Sequence, residues 1–213
     1  MTPSQPSSKT KNSLPIGGAG ILPVGAVAQE RDLSAHGRCG FQPRNDAPLL
    51  VLGVDTSLRS TGLGLVEHEA GRVRGVAYDL IRNPPKMPLS AALLNIQNTM
   101  ASVIEEFKPD VVAVEGFFFS KFPQSAMILG QARGVVIASA AKAGLAVFEH
   151  EPRRVKQAVA GFGGASKEQM QRMVVSMLGL EKTPPEDAAD ALAIAICHIQ
   201  AMTRMQLEGV KAL

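Results

Sequence analysis

The chain has 213 residues, 46% hydrophobic and 19% charged, with a formal net charge of +3, enough for one globular domain of ordinary size with length left over. No stretch of about 18 apolar residues runs uninterrupted, so no transmembrane helix is expected. The two cysteines, Cys39 and Cys197, lie in segments of different character, form no metal-ligand spacing, and point to a reducing, cytoplasmic compartment.

Residues 1–48 are rich in Pro, Gly, Ser and Asn and lack helical or alternating periodicity, which predicts a flexible low-complexity tail. Lys9 and Lys11 precede "LPIGGAGILPVGAVA", an imitation of a secretory leader, but Pro15, Pro23 and four glycines break the apolar run and no leader is read from it. The tail also holds much of the positive charge, since Lys9, Lys11, Arg31, Arg38 and Arg44 outnumber Glu30, Asp32 and Asp46. The rest of the chain is nearly neutral, so a nucleic-acid partner must be argued from clustering, not from bulk charge.

Order begins at residue 49. "LLVLGVD" (49–55) reads as a buried strand, and "TGLGLVE" and "RVRGVAYDLI" flank a turn at His68-Glu69-Ala70-Gly71, giving a hairpin and, with the first strand, a meander. Leu89, Leu93, Ile96, Met100, Val103 and Phe107 recur at steps of three and four between Pro88 and Pro109, the pattern of one amphipathic helix. "DVVAVEG" (110–116) is a second buried strand, followed by a helical stretch from about Gln124 to Ala143, a short strand "LAVFEH" and two closing helices. Strands in a meander followed by alternating helices and strands predict an α/β fold with a mixed sheet.

Both buried strands run into an acid, Asp55 and Glu115. A carboxylate leaving a hydrophobic strand loses hydration that something must replace, and ligands of open α/β sheets sit outside the carboxyl ends of strands. In "KTPPEDAADALAIAI", Thr183 and Glu186 are spaced as a capping box with Pro184 at the first helical position. Asp187 and Asp190 then share a face at i and i+3. The helix dipole accounts for Glu186 and Asp187 near the N-terminus, but Asp190 lies past the first turn against an apolar run. Four oxygen-donor acids without His or Cys suit magnesium or manganese. Two such ions roughly 4 Å apart activate a water and stabilise a leaving oxygen in phosphodiester displacement.

"GVDTS…TGLGLV", "VAVEGFFFSK", "SAMILGQARGVV", "VFEHEPRRVKQAVAGFGGASKEQMQRMV" and "PEDAADALAIAI", in this order, resemble the RuvC family of Holliday-junction resolvases over about residues 49–200. The resemblance implies a ribonuclease H-like mixed sheet with helices on both faces, in a nuclease domain spanning 49–205 and followed by a C-terminal tail at 206–213. It implies a homodimeric endonuclease that nicks two opposed strands of a four-way junction, holds two Mg²⁺ ions per subunit with Mn²⁺ as a substitute, and works with a branch-migration motor. Asp55, Glu115, Asp187 and Asp190 match the family's catalytic metal ligands, Lys167 a basic residue near the scissile phosphate, and Phe118 an aromatic that stacks at the junction centre. Lys121 matches a lysine of the junction-contacting loop.

The residues themselves allow two readings of these last positions. Ser166 and Gln169 form a capping box that opens a helix with an apolar stripe of Met170, Met173, Val174, Met177 and Leu178, so Lys167 is either a solvated lysine or one that, against the dipole, holds a phosphate. Arg153, Arg154 and Lys156 upstream extend a phosphate-binding stripe. Three aromatics in a row at 117–119 cannot all face inward from an extended segment, leaving one free to stack on a base. No metal or general-base role is read for His68, His150 or His198, and Gly130 with Gly134 marks a small-residue face for helix packing or a dimer contact. Thr56-Ser57 stands where the family usually has Pro-Gly, and Phe122-Pro123 where a polar pair is usual. Two other functions share some of these features. An actin-like ATPase or kinase has a similar strand-turn but needs a second such domain, which about 160 residues cannot hold. A non-catalytic junction-binding protein would have no use for all four acids.

Overall fold

The computed structural model describes residues 22–23, 48–116, 123–205 and 213; most of the expected N-terminal tail, the 117–119 aromatics with Lys121, and residues 206–212 lie outside them. The elements run β1 (Leu22–Pro23), β2 (Leu49–Asp55), β3 (Ser60–Glu69), β4 (Arg72–Arg82), α1 (Leu89–Phe107), β5 (Val111–Glu115), α2 (Pro123–Lys142), β6 (Ala146–His150), α3 (Pro152–Ala160), α4 (Lys167–Leu178) and α5 (Glu186–Met205). One sheet has the order β1-β4-β3-β2-β5-β6. The β2–β3–β4 meander is antiparallel, while β5 pairs parallel with β2 and β6 parallel with β5. At the far edge Leu22 and Pro23 pair with Tyr78 and Ala77.

Strand alternation sorts the side chains into two layers. Leu50, Leu52 and Val54 of β2, with Val112 and Val114 of β5, pack with Ile96, Met100 and Val103 of α1 and Val136 of α2. Val51, Val111 and Ala113, of the opposite parity, pack with Leu192, Ile194 and Ile196 of α5, Val155 of α3 and Val174 of α4. Helices therefore cover both faces, as expected. Because α5 lies between the sheet and α3 and α4, it is buried nearly all round, from Ala191 to Ile199 without a break, as an apolar-all-round helix requires.

The glycines of β2 and β3 set how closely α5 approaches. A Cβ at Gly53 would stand 2.9 Å from the Ala195 nitrogen, and one at Gly64 2.6 Å from the Leu192 nitrogen. Nothing larger than hydrogen fits between these strands and the helix backbone.

Three local expectations change. The hairpin turn is only Ala70-Gly71, with φ of 48° and 77°, so His68 and Glu69 stay in the ladder; two-residue hairpin turns with positive φ match the strand twist. Three helices close the chain, not two. The unexpected one, α3, is short, begins with Pro152 in its first turn, and buries only Val155 and Val159, a stripe too brief to stand out as periodicity. Finally, α5 begins at Glu186, two residues later than expected. The Ala189 N–H bonds to the Pro185 carbonyl at 2.9 Å, and Glu186 pairs with Lys167 in place of the expected capping box with Thr183.

Candidate active site

Asp55 and Glu115 end adjacent parallel strands, next to the Val54–Val114 pair. Each carries the parity of the face that α5 covers: 51, 53 and 55 on β2, and 111, 113 and 115 on β5. Asp187 and Asp190 stand on the first turns of α5, and the carbonyl of Asp187 lies over Gly62, the ladder partner of Asp55. The same alternation brings Ser60 of β3 to this face, where its hydroxyl donates to Asp187 Oδ2. Four acids from three elements thus meet at one sheet edge.

Their electrostatics follow from this crowding. Burial pushes the Asp55 carboxyl up to about 7, helped by the charges of Asp190, Glu115 and Asp187, with Lys167 opposing. Burial also raises Glu115, reinforced by Asp190 and opposed by Lys156, Lys167 and Arg133. Asp190 is raised by burial as well, against the pull of Lys167. Like charges held together in a desolvated place favour the protonated form or a cation.

The donor set is all oxygen, which suits a hard cation. The hydroxyl of Thr56, next to Asp55, is buried without a hydrogen-bond partner, as a polar atom would be if its partner belonged to an ion's hydration shell. The residues present therefore fit a divalent cation. Among the described residues no three potential ligands converge tightly enough to enclose one ion, and the Asp187 carboxylate is turned to Ser60.

The turn after Asp55 holds its shape without Pro-Gly. Ser57 Oγ donates to the Ser60 carbonyl and accepts from the Ser60 N–H, both at 3.1 Å. Thr61 Oγ1 donates to the Ser57 carbonyl and accepts the Ser57 N–H. Hydroxyls stitch this loop in place of a proline-glycine turn.

Lys167 is the first residue of α4, behind the Ser166 cap and its capping box with Gln169. Its ammonium pairs with Glu186 while its side chain is 65% exposed. The hydrogen bond to Glu186 is the main cause that raises its pKa. Lys156, on α3, is the other sequence-predicted cation whose charge reaches Glu115 and Asp190. Arg153 and Arg154 line an open depression of about 610 Å³ with Glu149, Glu151, Gln157 and Leu213. Phe118 and Lys121 lie outside the described residues.

Three features escape the linear reading. Ser60 could have been found by extending the β3 parity back from Gly62. Arg133, on α2, donates to the carbonyl of Glu115 and to the carboxylate of Glu149, and only its isolation among small residues hinted at a partner. His150 and His198, 48 positions apart, form a buried pair with Nε2 of His150 3.0 Å from Nδ1 of His198; no local spacing could reveal it.

The family model for crossover junction endodeoxyribonuclease RuvC matches residues 51–198. A RuvC of Moorella thermoacetica is 49% identical over 151 residues, covering 70% of this chain and 90% of its own length. One of Chloroflexus aggregans is 47% identical over 161 residues, 75% of this chain and 98% of its own. Among solved structures, Thermus thermophilus RuvC bound to a Holliday junction substrate superposes with a TM-score of 0.71 at 36% identity, covering 78% of this chain and 99% of that one. The yeast mitochondrial Holliday junction resolvase Ydc2, 12% identical with a TM-score of 0.58 over 75% of this chain and 81% of its own, shares the fold.

Proposed function

The chain belongs to the RuvC family of crossover junction endodeoxyribonucleases, and from that membership we propose that it resolves Holliday junctions with Asp55, Glu115, Asp187 and Asp190 as the acids that perform the chemistry. The observation that carries the assignment of these acids is their common face: strand parity and the seating of α5 bring four carboxylates from β2, β5 and α5 to one sheet edge.

These four acids would hold two Mg²⁺ ions per subunit, with Mn²⁺ as a substitute. Bound there, the ions would supply Lewis-acid stabilisation of the phosphodiester and a water of lowered pKa. The chain's own residues prepare that chemistry. Burial and mutual repulsion keep Asp55 partly protonated near neutral pH until a cation arrives, and Ser60 fixes one oxygen of Asp187. The α4 N-terminus and Lys167 offer an arriving phosphate both backbone N–H groups and an ammonium, and the phosphate displaces Glu186 from Lys167. Lys156, Arg153, Arg154 and Lys121 extend the phosphate contacts, and Phe118 stacks at the junction centre.

Two opposed strands need two such sites, and the enzyme acts as a homodimer. The outer face of α2 supports this: Gly130 and Gly134 have nothing within 4 Å of a notional Cβ, while Met127 is 63% exposed beside them. Apolar, small-residue surface of this kind suits a second copy. The dimer works in the cytoplasm with a branch-migration motor.

The test is cleavage of a synthetic four-way junction with Asp55→Asn, Glu115→Gln and Asp190→Asn. Each variant should bind the junction as wild type does, because phosphate contacts position the DNA independently of the chemistry, and each should cleave orders of magnitude more slowly. Folded variants that cleave normally would sink this reading.

A further inference from the structure

We propose that Arg133 is a positioning residue for the reaction: its guanidinium is a strut that clamps the Glu115 end of β5 to α2 and to β6, holding that carboxylate where a divalent cation needs it. The inference rests on the reading of Glu115 as a metal-holding acid.

Glu115 is the last residue of its strand, where ladder pairing ends and local opening is easiest. Its main chain is nonetheless held on both sides. Arg133 donates to the Glu115 carbonyl, and the next N–H, of Gly116, donates to the His150 carbonyl at 2.7 Å. The second arm of the guanidinium bonds to Glu149 Oε2, on the neighbouring strand, where Val114 pairs with Glu149 and Glu115 with His150. Glu149 in turn packs against the backbone beyond the acid, since a Cβ on Gly116 would stand 3.1 Å from Glu149 Oε1.

The planar fork of arginine is suited to this task and an ammonium is not. Its donors diverge in fixed directions, so one side chain can bond a carbonyl on β5 and a carboxylate on β6 at once. The Arg133 side chain is 12% exposed and Glu149 41%, so the cation is shielded and neutralised by its partner. Partners that orient a metal-holding group from behind contribute to metal affinity without touching the metal.

Charge and position predict opposite signs, which makes the inference testable. Removing a cation near an acidic site should, by Coulomb's law alone, strengthen metal binding. Releasing a strut should weaken it. The experiment is a Mn²⁺ titration of the DNA-free protein followed by thermal shift, with junction affinity measured in EDTA and cleavage measured across the same Mn²⁺ range.

Arg133→Met should bind the junction in EDTA like wild type, need about tenfold more Mn²⁺ for the half-maximal thermal shift, and recover part of its cleavage as Mn²⁺ is raised. Arg133→Lys, which keeps the charge but not the fork, should also need more Mn²⁺. If Arg133→Met folds poorly, Arg133→Gln, which removes the charge but keeps one amide donor, should move the midpoint the same way by a smaller factor. A midpoint unchanged or lowered in these variants, with cleavage per folded molecule intact, would make Arg133 a packing residue and overturn the proposal. Glu115→Gln in the same titration separates the two layers: a midpoint unmoved by that change too would refute the metal-holding role of Glu115, and the strut with it.

Discussion

Replacing Gly62 by Ala tests the seat that assembles the acids. A Cβ at this position would fall 1.9 Å from the carbonyl oxygen of Asp187, whereas carbon and its neighbours rest at about 3.5 Å. The obstacle is backbone on both sides, so no side chain can rotate out of the way. Strand β3 and the first turn of α5 must part by more than an ångström. Overpacking of this kind costs roughly 1–3 kcal/mol of stability. The larger effect should be on chemistry, because the displaced turn carries Asp187 and Asp190, and a misplacement of about 1 Å can cost on the order of 10²-fold in rate. The assay is single-turnover cleavage of a four-way junction at saturating enzyme, with binding measured in EDTA and a melting curve run alongside. Cleavage should fall by about 10²-fold with junction affinity unchanged. A Gly62→Ala protein that melts and cleaves like wild type would refute the seating of α5 and the argument built on it.

Metal-free stability should carry an imprint of Asp55. Its folded pKa is raised from 3.8 to about 7, so its contribution is fully present below about pH 4 and lost as pH rises through 7; relative to wild type, Asp55→Asn should gain stability between pH 4 and 8, by a few kcal/mol at most, as read from denaturant melts in EDTA. The histidine pair acts with the opposite sign. Burial lowers His150 to about 4 and His198 to about 3, so their contribution is present in full above about pH 6.5 and lost as pH falls toward 4; a His150→Gln variant should show a shallower acid limb. Removal of residues 1–46 should leave junction cleavage near wild type, because the described part of that segment pairs with β4, on the opposite side of β2 from Glu115; a folded but inactive truncation would make the segment functional.

Much of the site was legible in the linear chain because its elements announce themselves locally. An apolar run ending in an acid marks both the strand and the exit of a side chain from the core, and it did so at Asp55 and Glu115. The acids at 187 and 190 were readable from helical spacing. The capping box at Ser166 was a local hydrogen-bond pattern, and it formed as read. The start of α5 is also a local signal, yet the helix begins two residues beyond Pro184, because Glu186 pairs with Lys167 across space and that competing partner has no signature near residue 183.

Which faces exist follows from strand alternation alone. Period-two alternation put 51, 53 and 55 on one side of β2, and 111, 113 and 115 on one side of β5, and only a β-bulge within the strand could separate them. Which of the two faces α5 covers, and so whether these odd-numbered positions meet Asp187 and Asp190, depends on how the layers pack. Gly53 and Gly62 are silent as local signals, since a glycine in a strand can mean a bulge, a bend or a close approach; here the close approach appears only once the backbone of α5 lies against them. The Ser60, Arg133 and His150–His198 contacts belong to the same class. Each joins groups far apart in the chain through hydrogen bonds a few ångströms long, and that proximity is a property of the packed layers, which one-dimensional spacing does not encode.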